Sequence, residues 1–542
     1  MQGALSQDLA FVAERDRGVG ETLGRFFDDA GDGDRRAVLE LQPERLGQTS
    51  LDRLSRGGVA CVRNAWERGG CFAARPARPG HPVVLPSERE GSMSPAFELA
   101  ARFSGQLLQS TDHGYDETRR VHNGLIDKRP TLIARCRNVA DIVDAVNLGR
   151  ESKFEVAVRG GGHNVAGRAT IDGGLMIDLS LMKGIHVDPR ARTARAQGGA
   201  TWGEYDRETQ VCGLASTGGV ISTTGVGGLT LGGGLGWLLG KHGLSIDNLR
   251  SAQLVTADGK VLTASQDENA DLFWGIRGGG GNFGIAASLE YAVHPVGPIV
   301  TGGLVAHPFA RAREVLAFFR DTAGSLPDEM TLFGGLIHAP DGSTNKLAGI
   351  LACHCGTIPA GEAAVKPIKA FGPPVMDALG PIPYTAMNQM LDAGYPKGAL
   401  NYWKSSFLSS LSDAAIGTLV ECYSRVPSPM AGIIIEHTHG ATTRIGVGDT
   451  AFPHRSGGFN LLFLTQWMNP AETDRCIAWT RESYAAMKPF VGAGRYVNYL
   501  DGDETGDPVA EAYGPNYPRL RQLKTKYDPT NFFHMNQNIR PA

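Results

Sequence analysis

The run of residues 159–164, Arg-Gly-Gly-Gly-His-Asn, constrains the fold of this chain more than any other stretch. It directly follows residues 154–158, in which Val156 and Val158 alternate with smaller or polar side chains, as in a short half-buried strand. Three glycines after a strand permit positive φ angles and let the backbone approach a ligand closely. Their free N–H groups can form a concavity that binds an anion such as a pyrophosphate. The run alone is equally consistent with a tight structural turn that carries a surface histidine.

Further motifs follow this run in a fixed order. They are Gly173-Gly174 with residues 176–180 (Met-Ile-Asp-Leu-Ser), and then residues 225–228, 232–236, 241–248, 274–284, 496–499 and 527–539. The whole series resembles the covalent-flavin branch of the vanillyl-alcohol oxidase superfamily, and within it the berberine-bridge-enzyme-like oxidoreductases. The resemblance covers roughly residues 100–542, and the ordered set of motifs is much more specific than any one of them.

The resemblance implies a bound FAD that is attached to the protein. In that family the histidine of the Arg-Gly-Gly-Gly-His motif is bonded through its ring to the 8α-methyl group of the flavin, so His163 is the expected attachment residue. The residues that the resemblance implies as cofactor contacts are Arg159, Gly160, Gly161, Gly162, His163, Asn164, Gly219, Thr223, Thr224, Gly227, Gly228, Gly232, Gly236, Asn282, Gly284, Ile285, Asn536 and Gln537.

The chain departs from the family at a second attachment point. Many members carry a cysteine that is bonded to flavin C6. When the neighbouring glycine blocks are aligned, Ile221 occupies that position here, and it cannot form a thioether. Cys212 lies nine residues too early in the chain, and we expect it to pack as a small hydrophobic residue. A single covalent bond through His163 is therefore expected, as in the histidine-only, hydroxynicotine-oxidase-like members.

The resemblance also implies a reaction, namely hydride transfer to flavin N5 from a substrate carbon that bears a hydroxyl or an amine, with oxygen as the expected final acceptor. A base must accept the hydroxyl or amine proton, and family members often use a tyrosine late in the chain. Tyr496 and Tyr499 are the candidates, on a predicted strand that would turn them to opposite faces. Weaker candidates for contacts with the substrate are Asn460, Gln466 and Glu436.

Some functional alternatives stay open. Thr224 aligns with the position that controls the access of oxygen to the flavin, where many oxidases have valine, so an oxidase and a dehydrogenase with another electron acceptor both fit. A flavin-fold binding module without catalysis is the competing class, and the intact His163 and the late tyrosines argue against it. Gly279, Gly281 and Gly284 match a dinucleotide fingerprint by letter, but an apolar run follows them where the fingerprint requires a helix, so they indicate no NAD site.

Composition argues against several other classes of protein. The 542 residues carry a net charge of −3, which disfavours a nucleic-acid-binding surface. No run is long and apolar enough for a membrane span, and the N-terminus lacks the pattern of a secretory signal, so we expect a cytoplasmic protein. Eight scattered cysteines are too few for a disulfide scaffold. Cys353-His354-Cys355 lies on a predicted strand without a second ligand pair, so we expect buried free thiols there and no metal site.

The segments of the chain predict an α+β protein. Residues 1–95 are charged and Pro-rich and are expected to form a poorly ordered extension, either an accessory arm or, as we favour, sequence upstream of a true start at Met93 before a helix at residues 94–102. Residues 96–299 are the predicted FAD-binding domain, two-part and PCMH-type by resemblance (about 127–297), and residues 489–542 return to it.

Residues 300–488 are predicted as a substrate domain with an antiparallel sheet covered by helices. Its predicted strands are residues 302–306, 330–338, 347–355, 432–438 and 458–466. Its predicted helices are residues 310–323, 360–371, 413–425 and 470–488.

Overall fold

The computed structural model describes Leu99 and residues 102–408, 410–492 and 494–542. The predicted N-terminal extension at residues 1–95 lies outside the described residues, and so does most of the helix predicted at residues 94–102. The described chain forms three sheets of four or more strands and one two-stranded sheet, with helices packed on them. This mixture confirms the α+β class. In the part of the chain that is described, no helix combines the length and the apolar character needed to cross a membrane.

The first sheet positions the glycine run of residues 159–164. Its strand order is β1-β2-β4-β3, with β1 antiparallel to β2 and the other pairs parallel. The strands are β1 (Gln106–Leu108), β2 (Leu132–Arg135), β3 (Val156–Arg159) and β4 (Leu175–Asp178). Strand β4 was not predicted, because all its residues are buried and its apolar run lacks the alternation of a half-buried strand.

Two helices accompany this sheet, α1 (Tyr115–Arg119) and α2 (Val139–Glu151). The side chain of Asn138 caps α2 by accepting a hydrogen bond from the N–H of Asp141. Ile142, Ala145 and Val146 of α2 are fully buried and pack in one core with residues of β2, β3 and β4. This packing holds the C-terminal end of β3, from which the glycine run departs.

The second sheet is antiparallel, with the order β5-β6-β10-β8-β9. Its strands, with the separate pair β7 and β11, are β5 (Ile185–Asp188), β6 (Thr193–Gln197), β7 (Leu214–Ala215), β8 (Leu249–Val255), β9 (Val261–Ser265), β10 (Ile285–Ala292) and β11 (His294–Pro295). The helices of this region are α3 (Trp202–Gln210), α4 (Val226–Leu231), α5 (Leu239–His242) and α6 (Ala270–Ile276).

A capping box starts α3 and fixes the loop before α4. Thr201 and Glu204 each accept a hydrogen bond from the other's backbone N–H. The N–H of Trp202 donates to the carbonyl of Thr224, and the N–H of Val226 donates to the carbonyl of Ala200. The loop that carries Thr223 and Thr224 is therefore anchored on α3.

The third large sheet has eight antiparallel strands, in the order β15-β12-β14-β13-β18-β19-β17, with β16 also paired to β12. The strands are β12 (Ile299–Pro308), β13 (Met330–His338), β14 (Lys346–His354), β15 (Met376–Asp377), β16 (Gly380–Pro383), β17 (Leu400–Leu408), β18 (Gly432–Thr438) and β19 (Gly458–Trp467). Its helices are α7 (Ala312–Ala323), α8 (Ile358–Ala370), α9 (Tyr384–Gln389), α10 (Asp413–Ser424) and α11 (Thr473–Met487). The bounds of β13 and β18 agree with the sequence prediction, and the other predicted strands lie within one to three residues at most ends.

Strand β17 at the edge of this sheet was not predicted. Asn401, Lys404 and Ser405 are polar yet buried in it, so the strand shows no regular apolar pattern. Lys404 is accommodated because its ammonium group donates to Asp503 and Glu504. Because Asp503 and Glu504 lie about a hundred residues further along the chain, the sequence around Lys404 does not show that this lysine is paired.

The last part of the chain, with helices α12 (Pro508–Tyr513) and α13 (Tyr517–Tyr527), lies against the loop at residues 279–284. Lys524 is fully buried and donates to the carbonyls of Asn282 and Phe533. The side chain of Asn282 in turn bonds the carbonyl of Gln537 and the N–H of Ile539. These contacts are those expected if residues 489–542 return to the FAD-binding domain, and the domain boundaries themselves stay a prediction.

Candidate active site

Two glycine turns pack backbone against backbone where β3 ends. A Cβ atom added to Gly161 would overlap the backbone of Gly225, and one added to Gly225 would overlap the backbone of Gly161. Neither position can therefore accept a side chain. Because Gly225 directly precedes α4, the loop after β3 and the first turn of α4 border the same space.

A cleft opens beside these turns and is lined by residues from several parts of the chain. The predicted cofactor contacts that line it are Gly160, Asn164, Gly227, Gly228, Gly284, Ile285, Asn536 and Gln537. Among the lining residues that the sequence analysis missed are Arg168, Leu231, Asn498, Tyr513 and Phe533. The first sheet, α4, the loop at residues 279–284 and the C-terminal segment all contribute, so only folding brings the lining together.

The cleft has polar and steric features that fit a bound cofactor. The Oδ1 atom of Asn536 is buried and has no hydrogen-bond donor among the described residues, although Nδ2 donates to the carbonyls of Gly281 and Phe533. Buried acceptors are rarely left unpaired, so a donor from a ligand is expected there. A Cβ atom on Gly228 or Gly281 would have no protein atom within 4 Å. These glycines border open space that a closely approaching ligand would fill.

Several other predicted contacts do not line the cleft. The guanidinium group of Arg159 donates to both carboxylate oxygens of Asp178, at 2.8 and 2.7 Å. The carbonyl of Gly162 accepts from the N–H of His122. The side chain of Asn282 is used in holding the C-terminal segment. Direct contacts of these residues with the cofactor stay a prediction.

The remaining predicted glycines lie against protein atoms. A Cβ atom on Gly236 would overlap the carbonyl of Gly218, and one on Gly232 would overlap the side chain of Asn498. A Cβ atom on Gly219 would lie 3.3 Å from atoms of the Leu229 and Trp202 side chains. Close packing against protein atoms explains why glycine stands at these positions. Their contact with the cofactor also stays a prediction.

His163 is half-buried between the two turns. Its Nε2 atom lies 2.9 Å from the hydroxyl of Thr223, and its Nδ1 atom lies 3.4 Å from the hydroxyl of Thr224. Its ring stacks on that of His122, with centroids 4.0 Å apart and 26° between the planes. His163 therefore contacts Thr223 and Thr224, which belong to a separate motif of the sequence. His122 was missed because it belongs to no motif.

Burial controls the charge of this histidine pair. It lowers the pKa of His163 to about 3, with smaller contributions in the same direction from His122 and Lys397. Burial also lowers the pKa of His122 to about 4. Both imidazoles are therefore neutral at neutral pH. A neutral ring nitrogen keeps a lone pair and can act as a nucleophile.

Ile221 and Cys212 bear on the prediction of a single attachment point. Ile221 is half-buried in the loop that carries Thr223, next to His163. Cys212 is exposed in the turn after α3, so the prediction that it packs as a hydrophobic residue is wrong. Helix α3 ends two residues earlier, and the chain then turns through solvent. Cys353 and Cys355 are buried free thiols, as predicted.

Tyr496 and Tyr499 do not lie on a strand, so that prediction is wrong. A short 3₁₀ turn, Val497–Tyr499, follows Tyr496, and the two rings meet edge to face with centroids 4.8 Å apart. The side chain of Asn498 donates to the hydroxyl of Tyr496 and to the carbonyl of Leu229. These hydrogen bonds tie the turn to Leu229 of α4 rather than to a neighbouring strand. The tyrosines are consequently neighbours rather than residues on opposite faces.

Hydrogen-bond donors surround the hydroxyl of Tyr496. The N–H of Gly234 donates to it at 3.0 Å, and the N–H of Leu235 at 3.4 Å. Asn498 Nδ2 lies 2.9 Å away. Burial raises the pKa of Tyr496 to about 12, and these donors oppose the rise. Tyr496 is therefore a neutral phenol at neutral pH.

Tyr499 is bonded to a buried carboxylate. Its hydroxyl donates to Oε1 of Glu436 at 2.9 Å, and Asn460 Nδ2 donates to Oε2 at 2.6 Å. Burial raises the pKa of Glu436 to about 7, and the two donors oppose the rise. Burial and the carboxylate of Glu436 also raise the pKa of Tyr499. A carboxylic acid with a pKa of about 7 is partly ionised at neutral pH and can accept a proton there, whereas the two phenols stay protonated.

Strand β17 connects this carboxylate with the His163 loop. Asn123 Nδ2 donates to the carbonyls of Val165 and Asn401, at 2.8 and 2.9 Å. Two residues further along β17 lies Trp403, and the centroid of its ring is 5.8 Å from the centroid of the Tyr499 ring. The loop, the strand and the Glu436–Tyr499 pair therefore form one continuous set of contacts. The candidate Gln466 lies on β19 instead and donates to the carbonyl of Gly394.

Family models match two parts of this chain. A model described as "FAD binding domain" matches residues 130–265, and one described as "Berberine and berberine like" matches residues 495–540. The two matches cover β3 and its glycine loop, the Thr223 loop, the tyrosine turn and most of the C-terminal segment.

Comparisons with whole proteins agree with these matches. The chain is 33% identical over 417 residues to an FAD-linked oxidoreductase of Dictyostelium discoideum, a match that covers 76% of this chain and 89% of that protein. It is 30% identical over 471 residues to (R)-6-hydroxynicotine oxidase of Paenarthrobacter nicotinovorans, which covers 83% and 99% of the two chains.

Solved structures share the fold. The structure of 6-hydroxy-D-nicotine oxidase from Arthrobacter nicotinovorans matches with a TM-score of 0.74 at 28% identity, over 81% of this chain and 98% of that one. BBE-like 1 of Physcomitrella patens matches with a TM-score of 0.74 at 23% identity, over 82% and 98%. The chain therefore belongs to the berberine-bridge-like family of FAD-linked oxidoreductases and is a flavin-dependent enzyme.

Proposed function

We propose that this protein oxidises a small molecule at a carbon that bears a hydroxyl or an amine, with an FAD bonded covalently to His163. The position of His163 carries the proposal. Gly160 and Asn164, which flank it in the loop, line the cleft, and its own ring is neutral and held by Thr223 and Thr224. A neutral, oriented imidazole is what bond formation to the flavin requires.

A bound FAD would supply the redox chemistry, with N5 of the flavin as the hydride acceptor and oxygen as the proposed final electron acceptor. The chain binds and orients the cofactor through the loop at residues 160–164, the first turn of α4 and residues 535–537, all of which border the cleft. The absence of a cysteine at position 221 supports a single covalent bond.

The proton is taken up by the Glu436–Tyr499 pair. Glu436 accepts the proton of the substrate hydroxyl or amine, since its pKa of about 7 leaves it substantially ionised at neutral pH. Tyr499 positions the carboxylate by donating to Oε1. The donors around Tyr496 favour its phenolate, so Tyr496 is the second candidate for the base.

A dehydrogenase that passes electrons to another acceptor is the alternative to an oxidase. The hydroxyl of Thr224 lies 3.4 Å from His163 Nδ1. Release of hydrogen peroxide during the oxidation of an alcohol or amine identifies an oxidase. Flavin that is bleached by substrate and recoloured only by an added acceptor identifies a dehydrogenase.

Acid precipitation tests the covalent bond. Wild-type protein should stay yellow after precipitation and fluoresce on a denaturing gel, whereas His163→Ala should release its flavin. His186→Ala is the matched control, because His186 is exposed on β5. Wild-type protein that releases all its flavin would contradict the bond, and protein purified without flavin would contradict the proposed function.

A further inference from the structure

Arg168 is the one charged side chain among the described residues that line the cleft. It stands five positions after His163, directly after Gly167, whose φ is 67°. The N–H of Arg168 donates to Oδ1 of Asn164 at 3.1 Å, and Lys128 Nζ donates to the carbonyl of Gly167 at 3.1 Å. The backbone that carries Arg168 is therefore fixed at the edge of the cleft.

The guanidinium group of Arg168 has no counter-charge bonded to it in the described protein. Its Nε atom is buried without a hydrogen-bond acceptor among the described residues. Burial lowers the pKa of Arg168, and the carboxylate of Asp501 opposes this from a distance. Asp501 itself accepts from the N–H groups of Trp403 and Gly502. A partly buried cation without a bonded anion is destabilised, and one that faces a binding cleft can offset this by binding an anionic ligand.

We propose that Arg168 binds the diphosphate of FAD. In the oxidised cofactor at neutral pH the diphosphate carries the negative charge, whereas the flavin ring and the adenine are neutral. A planar guanidinium group can give two parallel hydrogen bonds to phosphate oxygens. The N–H groups of the glycine loop can donate to the same oxygens but bring no net charge. The inference rests on the proposed function only in requiring that FAD occupies this cleft.

The test uses full-length protein that carries His163→Ala, so that FAD can be removed and affinities measured by calorimetry. Three ligands separate the parts of the cofactor, namely FAD, ADP and riboflavin. Arg168→Gln should weaken the binding of FAD and ADP about ten- to a hundredfold, the usual value of a charge-assisted hydrogen bond, and leave riboflavin unchanged. Arg168→Lys should fall between, because it keeps the charge but loses the two-pronged geometry. Arg120→Gln is the control, since Arg120 is exposed and does not line the cleft.

The outcomes separate this inference from the proposed function. Equal ADP affinity with and without Arg168→Gln, at unchanged thermal unfolding midpoints, overturns the role of Arg168. A loss of riboflavin affinity as large as that of ADP also overturns it, because the contact is then with the flavin ring. If Arg168→Gln lowers the unfolding midpoint, Arg168→Lys decides, and full ADP affinity in that variant contradicts the paired hydrogen bonds. Wild-type protein that contains no flavin overturns the proposed function and this inference together.

Discussion

At the residue scale, burial shifts the two chemically important groups of the site in opposite directions. It lowers the pKa of His163 and raises the pKa of Glu436, because a buried site disfavours a positive imidazolium and a negative carboxylate alike. The imidazole is thereby kept neutral for bond formation. The pKa of the carboxyl group is thereby raised to about 7, so that it can exchange a proton at neutral pH.

Glu436→Gln should slow the anaerobic reduction of the flavin by substrate about 10²- to 10⁴-fold, because it removes the proposed base. In wild-type protein the reduction rate should rise as the pH increases through about 7, since the base must be ionised, and the variant should lose this dependence. Stopped-flow absorbance measures both. Flavin content should not change. If the variant is reduced as fast as wild-type protein, Tyr496→Phe is the next test.

Tyr499→Phe should have a smaller effect than Glu436→Gln and a different signature. Loss of the donor to Oε1 removes an interaction that favours the ionised carboxylate, so the pKa of Glu436 should rise. The inflection in the pH profile of flavin reduction should therefore move to higher pH. An unchanged inflection would show that Tyr499 does not influence the base.

Ile221→Cys should introduce a second bond to the flavin. The loop that carries Ile221 contacts His163 through Thr223, and the resemblance to the family assigns position 221 to its cysteine tether. Mass spectrometry of a digest should find flavin on one peptide of the wild-type protein and on two linked peptides of the variant. Cys212 is the internal control, and flavin on its peptide would contradict the alignment of this loop.

At the scale of elements, the parallel pairing of β3 and β4 fixes the start of the glycine loop. Arg159 ends β3 and Asp178 ends β4, opposite each other in register. Asp178 is fully buried and accepts from Arg159, Arg135 and the hydroxyl of Ser180. Burial acts to raise the pKa of Asp178, but these partners outweigh it and the pKa is lowered. The ionised Asp178 therefore stabilises the fold fully above its unfolded-state pKa of 3.8, and this stabilisation is lost as the pH falls through its lower folded-state pKa.

Asp178→Asn should lower the free energy of unfolding by about 3–5 kcal/mol, because Arg159 is left buried without its counter-charge. Urea unfolding at neutral pH measures the loss. Asp267→Asn is the control, since Asp267 is exposed and its carboxylate has no hydrogen-bond partner among the described residues. Equal stability of the two variants would mean that the buried pair does not hold the end of β3.

At the scale of the whole molecule, a buried acid joins α3 to α9. Asn388 Nδ2 donates to Oδ2 of Asp206. The Oδ1 atoms of both residues are buried without partners among the described residues. A protonated Asp206 can donate from Oδ1 to Oδ1 of Asn388, which satisfies both atoms with one proton. Burial raises the pKa of Asp206 to about 8, with Asn388 opposing, so the acid is mostly protonated at neutral pH.

This pair should make stability fall as the pH rises between about 4 and about 8. Because the folded-state pKa is raised, the stabilisation is complete below the unfolded-state value of 3.8 and is lost as the pH rises through about 8. The unfolding midpoint of wild-type protein should therefore fall between about pH 5 and about pH 8 and level off at higher pH. Asp206→Asn should show a smaller fall, because an amide cannot ionise. Parallel curves for the two proteins would contradict a protonated Asp206.

The sequence by itself determined the family, the cofactor and the loops that surround the cleft. Those features are marked by residue types that motifs record, such as the glycines at positions 161 and 225, where a side chain on either would overlap the backbone of the other. Short apolar runs were also sufficient for β13 and β18, which contain residues 332–337 (Leu-Phe-Gly-Gly-Leu-Ile) and 433–435 (Ile-Ile-Ile).

Only the tertiary structure decided which groups carry charge and where they face. Lys404 is buried in β17 because Asp503 and Glu504 meet it, and Glu436 titrates near neutral pH because distant strands exclude water from it. The turn at Tyr496 and the open cleft beside Arg168 likewise depend on segments far away in the chain. The type of residue that a backbone position permits can be recognised in a motif, whereas desolvation and charge pairing are set by residues that only folding brings together.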